Sequence, residues 1–141
     1  MIGLPASGKS TVCRDYQRKG YSLVNPDSIR LRFGVQFARK IEREVWTIAY
    51  AELKAFLKLG KRVVFDATNL TIGQRRPLIK IAKSYGARVT AHTMTTPLEE
   101  CLKRNEAREY PIPQEAIIKK VDTMVPPSRK EGFDSIEKTE A

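Results

Sequence analysis

The first ten residues contain a pattern whose residue types bind phosphate. Gly3 and Gly8 are separated by four residues and are followed directly by Lys9 and Ser10. A glycine-rich turn directs several backbone N–H groups at phosphate oxygens, Lys9 adds a positive charge for the β and γ phosphates, and Ser10 offers a hydroxyl ligand to Mg²⁺. The pattern predicts that the chain binds a nucleoside triphosphate. The alternative is a glycine turn before a helix that matches the pattern by chance.

The segment after the loop is predicted to form a helix from Thr11 to Arg18, with its N-terminus facing the bound anion. The residues of the loop and helix start that are predicted to contact the nucleotide are Gly3, Pro5, Ala6, Ser7, Gly8, Lys9, Ser10 and Thr11.

Two arginines far along the chain are further candidates for phosphate binding. Arg104 and Arg108 lie four residues apart, which places them on one face of a predicted helix. The planar guanidinium group spans two phosphate oxygens, and the proline-rich break at 111–113 suggests a lid over residues 104–113. The alternative is a solvated basic helix.

Two aspartates follow predicted strands. Asp66 ends the apolar run that begins at Arg62, and we expect it to help hold Mg²⁺; the alternative is that it only caps a turn. Asp27 opens a short helix and is the candidate general base for an attacking hydroxyl, with helix capping as an equally good alternative. Arg30, three residues later, is a candidate for binding an acceptor phosphate, or else an ordinary surface charge.

Apolar periodicity and turn residues predict an α/β fold. The predicted strands are 21–24, 62–66, 88–94 and a weak 131–136, and the predicted helices are 11–18, 26–33, 37–59, 71–85, 97–108 and 114–124. This alternation predicts a mostly parallel sheet with helices on both faces, and ligands bind beyond the carboxyl ends of its strands. Only Met1 and Ile2 precede the loop, so we expect a first strand that is very short or truncated. Residues 137–141 are expected to fray.

Composition limits the class of protein. The 141 residues are expected to form one domain. The 26 Lys and Arg against 16 Asp and Glu give a net charge of +10, which indicates either a polyanionic partner or simply a solvated basic surface. Cys13 and Cys101 are expected to be buried thiols, and His92 a structural residue. Trp46 and Tyr50 are expected to pack in the core. No apolar run is long enough for a membrane span, so a cytoplasmic protein is expected.

Four motifs together resemble a known family. The loop at 3–10, Asn-x-Asp-x-x-Arg at 25–30, Asp-Ala-Thr-Asn at 66–69 and Arg-Asn-x-x-Arg at 104–108 are similar to those of the 5′-kinase domain of bacteriophage and animal polynucleotide kinases. The wider relatives are the zeta-toxin-like and AAA_33-type small P-loop kinases. The likeness runs from residue 1 to about residue 136.

The resemblance implies a P-loop kinase fold with five strands in the order 2-3-1-4-5 and a small helical lid. It implies ATP and Mg²⁺ as cofactors, Asp27 as general base, Lys9 on the phosphates and Arg108 as the lid arginine. Arg30 is then expected on the phosphate 3′ to the accepting hydroxyl. Thr68 and Asn69 match a threonine and an asparagine of the family and are expected to contact substrate.

The leading hypothesis from the sequence is an ATP-dependent kinase that phosphorylates the 5′-hydroxyl of DNA or RNA, with a role in nucleic acid repair. The alternatives are a P-loop kinase for a sugar, nucleotide-sugar or antibiotic hydroxyl, and a nucleotide-binding module without turnover. The resemblance carries the choice of ATP, and the sequence leaves the oligomeric state open.

Overall fold

The structure is a computed structural model that describes residues 1–34 and 39–141. The helices are α1 (Lys9–Arg18), α2 (Pro26–Arg32), α3 (Glu42–Lys58), α4 (Ile72–Ser84), α5 (Leu98–Glu106) and α6 (Gln114–Thr123). The strands are β1 (Ser22–Val24), β2 (Val63–Phe65), β3 (Thr90–Met94) and β4 (Ser135–Thr139), with 3₁₀ turns at Arg39–Ile41 and Arg129–Glu131. The alternating order confirms the predicted α/β class.

The strands form two parallel pairs joined by the start of the chain. β1 pairs with β2, and β3 pairs with β4. Between them, the Ile2 N–H donates to the His92 carbonyl at 2.8 Å and the Ile2 carbonyl accepts from the Met94 N–H at 2.8 Å, while the Met1 amine donates to the Phe65 carbonyl at 2.9 Å. The spatial order is therefore the predicted 2-3-1-4-5. Residues 1–34 and 39–141 contain four strands rather than the predicted five, and a single bridge at Ile2 stands in the place of the first strand.

A cavity of about 730 Å³ separates β2 from β3 at the end of the sheet away from the phosphate loop. Its lining includes apolar side chains of α3 and α4, among them Leu53, Leu78 and Ile79, and the polar side chains of Tyr16 and His92. The backbone of residues 1–2 joins the two pairs near their carboxyl ends. The phosphate-loop end of the sheet is therefore continuous and the opposite end is open.

The main apolar core lies between α3 and the β1–β2 pair. Val45, Ala49 and Leu53 form the buried stripe of α3 and pack with Val24 and Phe65. The Trp46 ring stacks on the Phe65 ring at 6.0 Å between centroids, so the prediction that Trp46 packs in the core is confirmed, and Tyr50 lies beside the Trp46 ring. α3 begins at residue 42 rather than 37; Phe37 falls outside the described residues.

Side-chain caps and strand pairing set the other boundaries. Thr71 forms the predicted cap of α4, as part of a capping box with Gln74. The predicted last strand lies too early, and the expectation that residues 137–141 fray is wrong: β4 runs to Thr139 because it pairs along its length with β3, and the Thr139 carbonyl also accepts from the Thr95 N–H.

Cys13 and Cys101 are buried free thiols, as predicted. Across the described ranges, no helix has both the length and the apolar character needed to cross a membrane.

Candidate active site

The phosphate loop links Ile2 to α1 in a conformation that requires glycine. Gly8 has φ +94°, a backbone region that L side chains rarely adopt. A Cβ on Gly3 would lie 2.8 Å from Ser7 Oγ, so the loop closes tightly on itself. Ser10 and Thr11 are exposed in the first turn of α1, whose N-terminal N–H groups face the concave side of such a loop.

Lys9 lies folded back over the loop. Its Nζ donates to the carbonyls of Gly3 at 3.0 Å and Leu4 at 2.7 Å. Burial lowers the pKa of Lys9, and the nearby carboxylates of Asp66 and Asp27 oppose that shift. The ammonium group is therefore held beside the loop, within the influence of both predicted site aspartates.

Asp66 is buried directly after β2, with 7% of its surface exposed. Its Oδ2 accepts a hydrogen bond from Asn25 Nδ2 at 3.1 Å. Burial raises the pKa of Asp66, with Lys9 pulling in the opposite direction. Burial, together with the neighbouring Asp66, also raises the pKa of the Cys13 thiol to about 12, so this thiol stays protonated. The Asp66 carboxylate is thus a buried group facing Lys9.

Asn25 rather than Asp27 caps α2. Asn25 Oδ1 accepts from the Ser28 N–H at 3.0 Å, so its side chain joins the start of α2 to Asp66. The Asp27 side chain is 81% exposed and accepts from Arg30 Nη1. The capping alternative for Asp27 therefore does not describe this structure, and its carboxylate is open to an acceptor; its role as base remains a prediction.

Arg30 is held by a carboxylate that the sequence did not indicate. Its Nε and Nη2 donate to the two carboxylate oxygens of Glu42 at 2.6 and 2.9 Å, and its side chain is only 12% exposed. The hydrogen bonds from Arg30 lower the pKa of Glu42. Glu42 lies twelve residues from Arg30 in a different helix, so no local spacing marks the pair. Arg30 is thus a fixed guanidinium group rather than a mobile surface charge.

Thr68 and Asn69 support the loop in this structure. Asn69 is 4% exposed, and its Nδ2 donates to the Met1 carbonyl at 2.9 Å. The Thr68 carbonyl accepts from the Gly3 N–H at 3.0 Å. These contacts position residues 1–3 between β2 and β3. A substrate contact by either side chain remains a prediction.

The two lid arginines lie in different surroundings. Arg104 donates to Glu100 at 2.8 Å and to the Ala141 carbonyl at 2.7 Å, and its Nη1 lies 3.7 Å from the point where a Cβ on Gly8 would be. Arg108 is exposed beyond the end of α5. Arg104 is therefore the arginine that the structure places next to the phosphate loop.

A buried asparagine that the sequence reasoning missed shapes the lid turn. Asn105 is 1% exposed; its Nδ2 donates to the Ile112 carbonyl at 2.7 Å and its Oδ1 accepts from the Ile112 N–H at 3.0 Å. This pair of bonds closes the turn that presents Arg108. The motif contains the asparagine between the two arginines, which was its only signal in the sequence.

The donor atoms near the loop fit Mg²⁺. Ser10 offers an exposed hydroxyl and Asp66 a carboxylate, and Mg²⁺ takes oxygen ligands of this kind together with substrate phosphates and water. Over residues 1–34 and 39–141, no group of three or more His, Cys, Asp and Glu side chains forms an all-protein metal site. The residues present suit a metal that arrives with the nucleotide.

Sequence comparisons match nearly the whole chain. The model of the AAA_33 family, described as an AAA domain, matches residues 1–127. The L-seryl-tRNA(Sec) kinase of Methanococcus maripaludis is 31% identical over 143 residues, covering 95% of this chain and 54% of that protein. The chain therefore spans about half the length of this relative.

Solved structures share the fold. A chain of the Pnkp1/Rnl/Hen1 RNA repair complex superposes with a TM-score of 0.78 at 29% identity, covering 94% of this chain and 44% of that chain. Kti12 of Chaetomium thermophilum, solved with ADP-AlF3, has a TM-score of 0.69 at 21% identity over 99% of this chain and 86% of its own. A gluconokinase from Sinorhizobium meliloti has a TM-score of 0.62 at 17% identity over 97% and 78%. At the identities of the last two, the likeness concerns the fold alone.

Proposed function

The chain belongs to the AAA_33 family of P-loop kinase domains, and on that premise we propose that it transfers the γ-phosphate of ATP to the 5′-hydroxyl of DNA or RNA. The observation that carries the proposal is the run of contacts from Asp27 to Arg30 to Glu42. It fixes an exposed carboxylate beside a guanidinium group. A carboxylate takes the proton of an attacking hydroxyl, and a guanidinium binds a phosphate on the same substrate.

The donor side supplies the phosphate grip. Lys9 and the loop N–H groups bind the β and γ phosphates, and Ser10 and Asp66 hold Mg²⁺. When bound, Mg²⁺ neutralises charge that develops on the phosphate oxygens. Lys9 has to leave the carbonyls of Gly3 and Leu4 to reach a phosphate, and the attraction of a triphosphate for the ammonium group exceeds that of two neutral carbonyls.

The transfer step needs one proton acceptor. As the 5′-oxygen forms its bond to the γ-phosphorus, the bond from that phosphorus to the β–γ bridging oxygen breaks, and ADP leaves with the bonding electrons. Asp27 takes the proton of the hydroxyl. Arg30 binds the phosphate 3′ to the accepting nucleoside and thereby orients the hydroxyl toward the γ-phosphate.

The lid completes the site in this proposal. Arg104 lies beside Gly8, and closure of the 104–113 segment brings Arg108 to the transferring phosphate, where a planar guanidinium stabilises the developing charge. Residues 1–141 then act as one kinase domain.

Two relatives support an acceptor hydroxyl carried by nucleic acid. One is named as a kinase for seryl-tRNA, and the other is a chain of an RNA repair complex. The net charge of +10 is in keeping with a polyanionic acceptor. The 31% identity to the first relative also gives a second candidate acceptor, the free side-chain hydroxyl of a serine whose carboxyl group is esterified to tRNA.

A transfer assay with γ-labelled ATP tests the proposal. The acceptors are 5′-hydroxyl DNA and RNA oligonucleotides, their 5′-phosphorylated counterparts, seryl-tRNA, and a panel of sugars and nucleosides. We expect label on the 5′-hydroxyl oligonucleotides and none on the 5′-phosphorylated controls. Label only on seryl-tRNA or only on small molecules contradicts the proposal in favour of that acceptor, and label on none favours a binding module without turnover.

A further inference from the structure

The end of α2 exposes apolar surface beside the acceptor side of the site. Ile29 of this helix is fully buried, whereas Leu31 is 61% exposed and Phe33, directly after the helix, is 48% exposed. Leu31 follows Arg30 directly along the chain, and Phe33 lies three residues after Arg30. An aromatic ring exposed beside a charged site offers a face on which a base can stack.

The start of α3 adds positive charge to the same region. Arg39, Lys40 and Arg43 are all exposed, and they flank Glu42, which the ion pair with Arg30 fixes beside the site. Among ion pairs within the described part of the chain, Arg32 has Glu52 as its partner, but none involves Arg39, Lys40 or Arg43. The exposed Glu44 offsets one of these charges, so the region keeps a net positive charge.

We propose that Leu31, Phe33, Arg39, Lys40 and Arg43 form an acceptor rim that binds the single strand carrying the reacting hydroxyl. Phe33 stacks on a base beyond the first nucleotide, and the three cations contact phosphodiester groups further along. The inference rests on the proposed function and extends it from the reacting nucleotide to the strand. Its physical basis is that single-strand binding combines aromatic stacking with charge along a backbone.

The stacking part is tested by the length dependence of the reaction. The two acceptors are a 5′-hydroxyl 12-mer, as DNA and as RNA, and a nucleoside 3′-monophosphate. Phe33→Ala removes the ring on which a base would stack, and one stacked base is worth about tenfold in affinity. We therefore expect this substitution to raise the KM for the 12-mer by about ten times the factor by which it raises the KM for the mononucleotide. Phe33→Trp restores the 12-mer KM. The matched control is Tyr85→Ala, because Tyr85 is 43% exposed at the end of α4.

The charge part is tested by salt dependence. Replacing Arg39, Lys40 and Arg43 by Gln is compared with replacing Lys54, Lys58 and Lys61 by Gln, since the second set removes the same charge at the other end of α3 and just beyond it. Each phosphate contact on a single strand contributes about 0.7 to the slope of log affinity against log salt. We expect the slope for the 12-mer to fall by about 2 in the rim variant and to change little in the control.

The outcomes separate this inference from the proposed function. If the rim variants and their controls change the 12-mer KM equally, or if the 12-mer and the mononucleotide respond alike, the rim is overturned while the kinase proposal stands. If no oligonucleotide is phosphorylated, the rim is tested by the affinity of each variant for a labelled 12-mer, measured by fluorescence anisotropy. A weaker complex in the rim variants than in the controls supports the rim, and equal binding overturns it.

Discussion

The donor and acceptor sides of the candidate site are held in different ways. On the donor side, Lys9 bonds to two loop carbonyls and Asp66 is 7% exposed. On the acceptor side, Asp27 is 81% exposed and forms an ion pair with Arg30, which in turn binds Glu42. Backbone geometry fixes the first side, whereas ion pairs between side chains fix the second.

This difference indicates where the protein is preorganised. The phosphate grip follows from a glycine turn, a helix start and residues 1–3 bound between β2 and β3, so it changes little when a surface residue changes. The acceptor side depends on the relation of α2 to α3, which the Arg30–Glu42 pair stabilises together with the apolar cluster that contains Ile29 and Val45. We therefore expect substitutions on the acceptor side to alter acceptor use and leave nucleotide affinity intact.

The largest effect is expected at Asp27. Asp27→Asn keeps the size of the side chain but removes the group that accepts the proton, so we expect kcat to fall roughly 10²–10⁴-fold. The dissociation constant for ATP, measured by titration calorimetry, should stay within about twofold because the carboxylate lies outside the phosphate loop. Unchanged turnover would show that the exposed carboxylate has no part in proton transfer.

The second effect separates a positioning ion pair from an incidental one. Glu42→Gln weakens the two-bond hold on Arg30, and hydrogen bonds between charged groups are worth about 1.5–3 kcal/mol. We expect the acceptor KM to rise about 10- to 100-fold with ATP affinity preserved. Glu52→Gln is the control, because it breaks the Arg32–Glu52 pair, in which Arg32 is 60% exposed. Equal effects of the two substitutions would contradict a positioning role.

A smaller effect is expected where the two sides meet, at Asn25. Asn25→Ser keeps an oxygen that caps α2 but is too short to reach Asp66, so it removes only the 3.1 Å bond between the sides. This is one bond from a neutral amide to a carboxylate, and such bonds to charged groups are worth about 1.5 kcal/mol at the lower end of their range, which corresponds to roughly 13-fold in kcat/KM.

Thermal unfolding provides the control for the Asn25 substitution. Asn25→Ser should unfold near the wild-type temperature, while Asn25→Ala should unfold at a lower temperature because it also loses the cap. If the serine variant is as active as the wild type, the bond to Asp66 does not couple the sides.

Much of the fold was predictable because it depends on local signals. The glycine pattern, the apolar run before Asp66 and the Thr71 cap each mark an element within a few residues. The extent of β4 was not predictable, since its residues are mixed in polarity and pairing with β3 decides their conformation. The bridge at Ile2 lies where the strand order implied by the family resemblance places the first strand; spacing alone does not give this position, because it depends on two strands that are distant in sequence.

The candidate site divides in the same way. Residue type and spacing indicated Lys9, Asp66 and Asp27, because each follows a predicted strand or lies in the loop. Glu42 and Asn105 were missed, since each acts through a hydrogen-bond partner that spacing does not reveal.

The smallest expected effect is a shift with pH on the donor side. Burial raises the pKa of Asp66, so this carboxyl group becomes protonated at a higher pH than an ordinary aspartate. Since the folded state holds this proton more tightly than the unfolded state, the ionised carboxylate lowers stability as the pH rises through its folded pKa. A bound cation stabilises the ionised form, so metal and proton compete for Asp66.

We therefore expect Mg²⁺-dependent ATP affinity to weaken as the pH falls through the raised pKa of Asp66, and the midpoint to move to lower pH as Mg²⁺ is increased. Calorimetric titrations at several pH values and two Mg²⁺ concentrations measure this shift, and Asp66→Asn should abolish it. A midpoint that does not move with Mg²⁺ would place the metal away from Asp66. The donor side would then hold the nucleotide through Lys9 and the loop alone, and the buried carboxylate would serve only to anchor Asn25.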